Sequence, residues 1–337
     1  MKLDAALPPT RLGNVGETAH AAEEMGFSVL WTTETQHDPF LPHTLIAEHT
    51  KRLKSGTAVA IGFARSPATL AYTAWDLAQT SAGRFIPGLG TQVKAHIERR
   101  FGMSWPDSVT GKLREQIQVI HAFWNCWQND TPLNFRGEYY KITLMSPFFN
   151  PGPIDHPEIP IYIAGVNTGL AKLAGELCDG FHVHPFHTQR YLREVILPAI
   201  GQGAGKAGRN RKSVTVSASI FSAINDEQRE FCRQQVSFYA STPSYRPVME
   251  LHGWGETAGK LSRLAAKGAW SEMPAMIGDE MLDEFCLQSS EADLARAIHQ
   301  RYDSIADRVT LYIPFVPGRQ DVFWKNLAGQ FNQSGEG

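Results

Sequence analysis

The stretch "SGTAVAIGFARSPATLAYTAWDLAQTSAGRFIPGLG", residues 55–90, holds two apolar runs separated by a segment of helical period. The runs at 55–63 and 85–90 are short and rich in β-branched or small residues, as buried strands are. A strand, a helix and a second strand in this order are typical of a parallel β/α/β unit. The stretch therefore predicts two neighbouring parallel strands joined by a crossover helix.

The same alternation continues along nearly the whole chain. In the first helical segment Val15, Ala19, Ala22 and Met25 line one face, and Gly26 ends it. Eight strands alternating with crossover segments favour a (β/α)₈ TIM barrel over an open doubly wound sheet. We predict an α/β fold with one domain over residues 1–337. The eight predicted strands are 3–7, 28–34, 55–63, 85–90, 161–165, 180–186, 214–223 and 308–315.

Two connections are too long to be simple crossovers. They are residues 91–158, after the fourth strand, and residues 238–285, after the seventh. In a barrel both would leave the C-terminal rim, where active sites are built, so we expect them to cover a bound ligand. Their aromatic residues suggest an apolar substrate pocket. The candidates for its lining are Trp254, Phe148, Phe149 and Tyr245.

Composition narrows the class of protein. The 337 residues carry a formal net charge of −2, with 20% charged residues, which gives no basic surface for nucleic acid. The four cysteines have no paired spacing, which indicates reduced thiols and a cytoplasmic protein rather than a disulfide scaffold. No window is apolar enough to predict a membrane span, and the first residues do not resemble a signal peptide. The cysteines are Cys126, Cys178, Cys232 and Cys286.

Three histidines fall within "FHVHPFH", residues 181–187, a spacing that raises the question of a metal site. Strand alternation predicts that His182 and His184 share one face near the C-terminal end of the sixth strand, with His187 in the loop. A metal centre would need further ligands from other strand ends, and Asp4 lies near the beginning of its strand. We therefore predict no metal. Lining of a pocket and hydrogen-bonded structural histidines both remain open.

The segment "IYIAGVNTGLAKLAGELCDG", residues 161–180, predicts a strand that turns directly into a helix. The helix opens at Asn167 or Thr168, and its first backbone N–H groups would face the barrel rim. Such a helix end suits a phosphate, although an ordinary capped helix fits the residues equally well.

Three segments resemble the bacterial luciferase-like monooxygenase family, whose members bind a flavin or the deazaflavin coenzyme F-420 in a TIM barrel. Residues 56–91 are similar to the family's third strand, helix and "G-R-F-x-x-G-L-G" segment. "PIYIAGVNTGLAKLAGELCDGF" is similar to its fifth-strand motif, and "LWTTETQHDPF" stands in place of its second-strand "S-E-H-H". The resemblance covers residues 2–318, and "GLGTQVKAHIERRFGMSW" is most similar to the deazaflavin branch.

The resemblance implies a set of cofactor contacts. It places a non-proline cis peptide at Ala58–Val59, against the central ring of the cofactor. It places the cofactor phosphate on the backbone N–H groups of Gly165, Val166 and Asn167, with the Thr168 hydroxyl assisting. Two departures stand out, because Thr35 follows Glu34 where the family has histidine, and Gln92 and Val93 occupy the place of a glutamate. The cofactor-binding candidates are Gln36, Ala58, Val59, Thr91, Gly165, Val166, Asn167, Thr168 and His182.

The resemblance implies an F-420-dependent oxidoreductase that transfers a hydride between the deazaflavin and a small organic substrate. The alternatives are an FMN-dependent monooxygenase and a non-catalytic flavin- or deazaflavin-binding protein. Imidazole suits proton transfer at neutral pH, so we expect His37 or His184 as general acid/base, with Glu34 as a further catalytic candidate. The expected partner is a small apolar substrate. We expect no binding to nucleic acid or to a membrane, and a homodimer is compatible with the sequence.

Overall fold

Eight parallel strands form a closed barrel in the computed structural model, which describes residues 1–333. Each strand pairs with the next along the chain, and the eighth returns to the first, with Lys2 opposite Arg308. The predicted barrel is confirmed. Its strands are Lys2–Ala6, Val29–Thr32, Lys54–Thr57 continuing in Ala60–Ile61, Phe85–Ile86 continuing in Gly88–Gly90, Tyr162–Gly165, Gly180–Val183, Thr215–Ala223 and Arg308–Leu311.

All eight strands differ by at least one residue from their predicted extents, and the eighth ends at Leu311 instead of residue 315. The third is interrupted at Ala58–Val59, and the fourth is interrupted at Pro87, which has no N–H group for a ladder hydrogen bond. The sixth ends at Val183, two residues before Pro185, instead of reaching residue 186. His184 therefore lies in the loop that follows the sixth strand, beyond its last ladder pair.

Helices surround the barrel and bury the faces that their period predicts. In the first helix Val15, Ala19 and Ala22 are fully buried, and Gly26 ends it with φ of 89°. Glycine is common in this left-handed conformation at the end of a helix, because a residue with a Cβ atom is disfavoured there. The principal helices are Val15–Met25, Leu41–His49, Pro67–Thr80, Val109–Asn129, Thr168–Leu177, Leu197–Lys206, Asp226–Ala240, Leu294–Tyr302 and Asp321–Gln333.

The two longest connections follow the fourth and seventh strands. The first contains the helices Lys94–Arg99 and Val109–Asn129, then a small hairpin of Phe135–Arg136 with Lys141–Ile142. The second connection contains mainly helices and one short strand. In chain order they are Asp226–Ala240, Arg246–Leu251, Gly255–Ala266, Asp279–Phe285, the strand Cys286–Gln288 and Leu294–Tyr302. The strand Cys286–Gln288 pairs in parallel with the C-terminal end of the seventh strand, at residues 221–223.

The barrel interior is filled by large side chains. Val29, Trp31, Ile86 and Tyr162 form one buried cluster, and the His182 ring meets Trp31 edge to face with centroids 4.7 Å apart. A packed interior leaves the C-terminal rim as the place where a ligand can bind.

Gly88 faces this interior where the third and fourth strands approach each other closely. A Cβ atom at residue 88 would lie 1.9 Å from the Thr57 carbonyl oxygen and 2.8 Å from His182 Nε2. We expect Gly88→Ala to destabilise the protein by about 1–3 kcal/mol, because backbone must move to admit the methyl group. Urea denaturation measures this loss. Gly13→Ala is the control, since nothing lies within 4 Å of a Cβ there, and equal stability of the two variants would contradict the packing described.

Candidate active site

Partly exposed residues follow one another around the C-terminal rim of the barrel. Ala58 and Val59 lie at the break in the third strand, and Thr91 and Gln92 follow the fourth. Gly165 ends the fifth strand and is also partly exposed. Cofactor-binding candidates from three neighbouring strands are therefore brought to one rim by the closure of the barrel.

Glu34 ties the second strand to the third. Its Oε2 accepts hydrogen bonds from the Ile61 backbone N–H and from Arg65 Nη1, each at 2.6 Å. Arg65 also binds Asp38 at 3.2 Å. The Glu34 side chain is only 6% exposed, so this carboxylate holds the backbone next to Val59 in place.

Gln36 and His37 lie in the exposed loop that follows the second strand. Asp38 shapes this loop, because its Oδ1 accepts the backbone N–H groups of Phe40 and Leu41 at 2.8 and 3.2 Å. Arg100 holds the loop from the other side by donating to the Thr35 carbonyl at 3.0 Å. The His37 imidazole is thus displayed to solvent on an anchored loop.

The fifth strand turns into the helix Thr168–Leu177 at the rim. Asn167 is the N-cap with extended backbone, and its side chain accepts no capping hydrogen bond. The first N–H groups of this helix, at Thr168, Gly169 and Leu170, therefore lack an intrahelical partner. Asn167, Thr168 and Gly169 are exposed, whereas Val166 is buried and its carbonyl accepts the Tyr191 hydroxyl at 3.0 Å.

A second helix begins beside this one. A Cβ atom at Gly169 would lie 3.3 Å from Thr110 Cγ2, which is in the first turn of Val109–Asn129. Two helix N-termini, each with a positive dipole end, thus meet at one place on the rim. The arrangement can hold a phosphate or another anion.

The three histidines of "FHVHPFH" occupy separate environments. His182 lies inside the barrel, where burial lowers its pKa to about 3. His184 packs between Tyr239 and Tyr245, with ring centroids 4.7 and 4.6 Å away. His187 is buried, with its Nδ1 bonded to the His184 carbonyl and its Nε2 3.2 Å from the Tyr302 hydroxyl. Within residues 1–333 no three His, Cys, Asp or Glu side chains converge as metal ligands would.

Comparison with known proteins adds the family. A family model described as luciferase-like monooxygenase matches residues 2–308. The chain belongs to this family. Its members are flavin- or deazaflavin-dependent oxidoreductases, so the predicted enzyme class is confirmed at that level.

Several relatives align over almost the full length of this luciferase-like protein. An uncharacterised Mycobacterium tuberculosis protein is 41% identical over 315 residues, 92% of each chain. A 5,10-methylenetetrahydromethanopterin reductase from Methanolobus tindarius is 28% identical over 320 residues, 93% of this chain and 94% of that one. The solved coenzyme F-420-dependent tetrahydromethanopterin reductase of Methanopyrus kandleri superposes with a TM-score of 0.78 at 21% identity, covering 98% and 97% of the two chains. This last likeness shows the shared fold.

The expected cis peptide is present. Among residues 1–333, Ala58–Val59 is the one non-proline cis peptide bond. It occurs at the position that the family resemblance predicted.

The aromatic residues predicted to line a substrate pocket have different surroundings. Tyr245 contacts His184, but Trp254 stacks on His252 with the rings 4.5 Å apart, and Phe148 is 89% exposed in the first long connection. Tyr239 and Tyr312 were not predicted, yet the Tyr239 ring lies 4.7 Å from that of His184, and the two tyrosine hydroxyls are 2.9 Å apart. Tyr312 in turn donates to Gln235 Oε1 at 3.1 Å. No local sequence pattern marks these two tyrosines, because they come from a helix and a strand end 73 residues apart.

Across residues 1–333, no helix combines the length and the apolar character that crossing a bilayer requires.

Proposed function

We propose that the protein is a coenzyme F-420-dependent oxidoreductase that transfers a hydride between the deazaflavin and a small organic substrate. The observation that carries the proposal is the set of free N–H groups at Thr168–Leu170, on the rim of a barrel from a flavin and deazaflavin family. An anionic cofactor would place its phosphate there. The other sites that we assign to the cofactor lie on the same rim.

The residues present fit such a cofactor. Ala58 and Val59 are partly exposed and offer a small apolar surface against which a flat ring could rest. Gly90 leaves room for the Val59 side chain, because a Cβ atom at residue 90 would lie 2.5 Å from Val59 Cγ2. Thr91 and Gln92 border it, and Gln92 holds a left-handed turn with φ of 59°. We assign Gln36, Asn167 and Thr168 to its polar edge.

Sequence relatives favour the deazaflavin over FMN. A putative coenzyme F-420-dependent oxidoreductase of Mycobacterium tuberculosis is 26% identical over 299 residues. An F-420-dependent glucose-6-phosphate dehydrogenase of Nakamurella multipartita is 27% identical over 258 residues. These names support the same cofactor here, while FMN remains the alternative that the family allows.

The deazaflavin would supply or accept the hydride, and the protein's groups would orient the substrate and move the proton. Of the two candidate histidines, His37 suits proton exchange because its imidazole is exposed to solvent on the rim. Burial lowers the pKa of His184 to about 3, so this ring does not take up a proton near neutral pH. Glu34 acts by positioning the strand next to Val59, since its Oε2 is already engaged by two donors.

We expect His37→Asn to lower kcat by about 10²-fold while the affinity for the cofactor stays nearly unchanged, as loss of a general acid/base does. His20→Asn is a matched control, because His20 is an exposed histidine on the first helix. Steady-state kinetics and a fluorescence titration measure the two quantities. Wild-type kcat in the His37 variant would show that the proton passes through another group.

Turnover is tested by mixing the protein with reduced F-420 and a panel of aldehydes, ketones and imines, and following the return of the oxidised deazaflavin's absorbance. The same panel in the reverse direction uses oxidised F-420 and alcohols. Oxidation of reduced FMN with oxygen uptake, and no reaction of F-420, would replace this proposal with the monooxygenase alternative. Tight binding without turnover of any compound would favour a carrier.

A further inference from the structure

His184 stands directly after the sixth strand, where the backbone leaves the barrel. Its ring is held on two sides, by Tyr239 at 88° to its plane and by Tyr245 at 43°. Its own carbonyl accepts the Nδ1 hydrogen bond of His187 at 2.8 Å. The imidazole therefore has a fixed orientation on the rim rather than free rotation.

One hydrogen bond determines which ring nitrogen of His184 carries the proton. The Phe186 backbone N–H donates to His184 Nδ1 at 3.1 Å. A backbone N–H can only donate, so Nδ1 presents its lone pair and the proton of the neutral ring sits on Nε2. Nε2 bonds to no group within residues 1–333 and is not among the buried unpartnered atoms, so it stays accessible.

The surroundings keep this ring neutral. Burial is the main cause of its lowered pKa of about 3, and His187 adds to the effect. The groups packed against it are the phenols of Tyr239 and Tyr245, which carry no negative charge at neutral pH. No carboxylate contributes to stabilising an imidazolium at this position.

We propose that His184 is a neutral hydrogen-bond donor, whose Nε2–H binds the oxygen on the substrate carbon that gains or loses the hydride. This inference rests on the proposed function and names its substrate class, a carbonyl compound and the corresponding alcohol. As the hydride adds to the carbonyl carbon, the π-electron pair moves to the oxygen, and the Nε2–H bond strengthens with the charge there. The alkoxide then takes a proton from His37 or water, and His184 keeps its own.

The neighbouring hydroxyls fit an apolar remainder of that substrate. Tyr312 donates to Gln235 Oε1, so the oxygen of Tyr312 accepts the Tyr239 hydroxyl proton. Both phenol protons are thereby used within the protein, and the Tyr239 ring packs against His184 with the ring centroids 4.7 Å apart. His184 Nε2–H therefore remains as a donor that this wall offers to a ligand, beside the hydroxyl of Tyr245.

The tautomer is tested without any substrate. In the protein labelled with ¹⁵N-histidine, we expect the His184 signals, assigned with His184→Gln, to show a protonated Nε2 and a bare Nδ1 from about pH 5 to about pH 8. A titration of this ring to imidazolium with a midpoint above about pH 5, or the opposite tautomer, would overturn the proposal.

The role in turnover is tested with a pair of variants. His184→Gln keeps an N–H near the position of Nε2, whereas His184→Phe keeps a flat ring and removes the donor. With a carbonyl substrate we expect the Phe variant to lose about 10²-fold in kcat at unchanged cofactor affinity, and the Gln variant to retain most of the activity. Equal activity of the Phe variant and the wild type, or an equal loss in both variants, would refute the assignment. Failure of the wild type to bind F-420 would instead refute the proposed function, and the tautomer measurement would still decide the state of His184.

Discussion

Arg308→Met is expected to destabilise the protein by about 3–5 kcal/mol near pH 8, because it leaves a buried carboxylate without its partner. Arg308 Nε lies 3.3 Å from Asp4 Oδ2 at the beginning of the eighth and first strands, where the two side chains are 8% and 0% exposed. The same oxygen accepts the Trp31 Nε1–H at 2.9 Å. The other carboxylate oxygen, Asp4 Oδ1, is buried and has no hydrogen-bond partner among the residues that the structure describes.

The loss should depend on pH in a definite direction. Burial raises the pKa of Asp4 from 3.8 to about 6, and Arg308 opposes that rise. Since the folded state holds the proton more tightly than the unfolded chain, stability falls as the pH rises through this window. Removing Arg308 raises the folded pKa further and extends the fall above pH 6. The deficit of the variant should therefore be small near pH 5 and largest near pH 8.

Urea denaturation at the two pH values measures this effect. The double variant Asp4→Asn/Arg308→Met is the matched comparison, because asparagine keeps an acceptor for Trp31 and carries no charge. We expect it to recover most of the lost stability and to show little pH dependence. Two results would contradict this account of the Asp4–Arg308 ion pair. One is a free energy of unfolding for the single variant within about 1 kcal/mol of the wild type near pH 8, and the other is a double variant no more stable than the single one.

Gly169→Asp is expected to weaken cofactor binding by about 10²–10³-fold, because it places a negative charge among the N–H groups assigned to the phosphate. Residue 169 is exposed, and a Cβ atom there meets only Thr110 Cγ2 within 4 Å, so the side chain can be accommodated by a small shift. The helix dipole stabilises an acidic side chain in the first turn, so we expect no loss of folding stability.

Gly169→Asn separates charge from shape, since asparagine has nearly the same size as aspartate. We expect its affinity to lie within about tenfold of the wild type, as measured by fluorescence titration with F-420. Equal affinities of the Asp and Asn variants for the cofactor would show that the phosphate does not bind at the N–H groups of Thr168–Leu170. Gly165 is a poorer place for this test, because a Cβ atom there would lie 2.7 Å from Leu170 Cβ and disturb the turn itself.

The barrel could be predicted because each strand and helix leaves a local signal in the order of apolar residues. The helix end at Thr168 could be predicted from residues that are contiguous along the chain, and the cis peptide at Ala58–Val59 from the family resemblance of one such stretch. The ion pair of Asp4 and Arg308 could not, because it forms only when the first and last strands close the barrel.

The surroundings of His184 depended on a strand end that periodicity does not give. Alternation placed His184 on the sixth strand beside His182, but the ladder stops at Val183, before the Pro185 that could not continue it. The ring then meets Tyr239 and Tyr245 from the second long connection. Phe148, in the other long connection, is exposed to solvent, and its predicted place in a substrate pocket stays a prediction.

A competitive titration of the purified protein with F-420 and with FMN, read by deazaflavin and flavin fluorescence, tests the central claim most directly. We predict saturable one-to-one binding of F-420 that FMN displaces only at much higher concentration, and that Gly169→Asp weakens. Tight binding of FMN with no measurable binding of F-420 would contradict it.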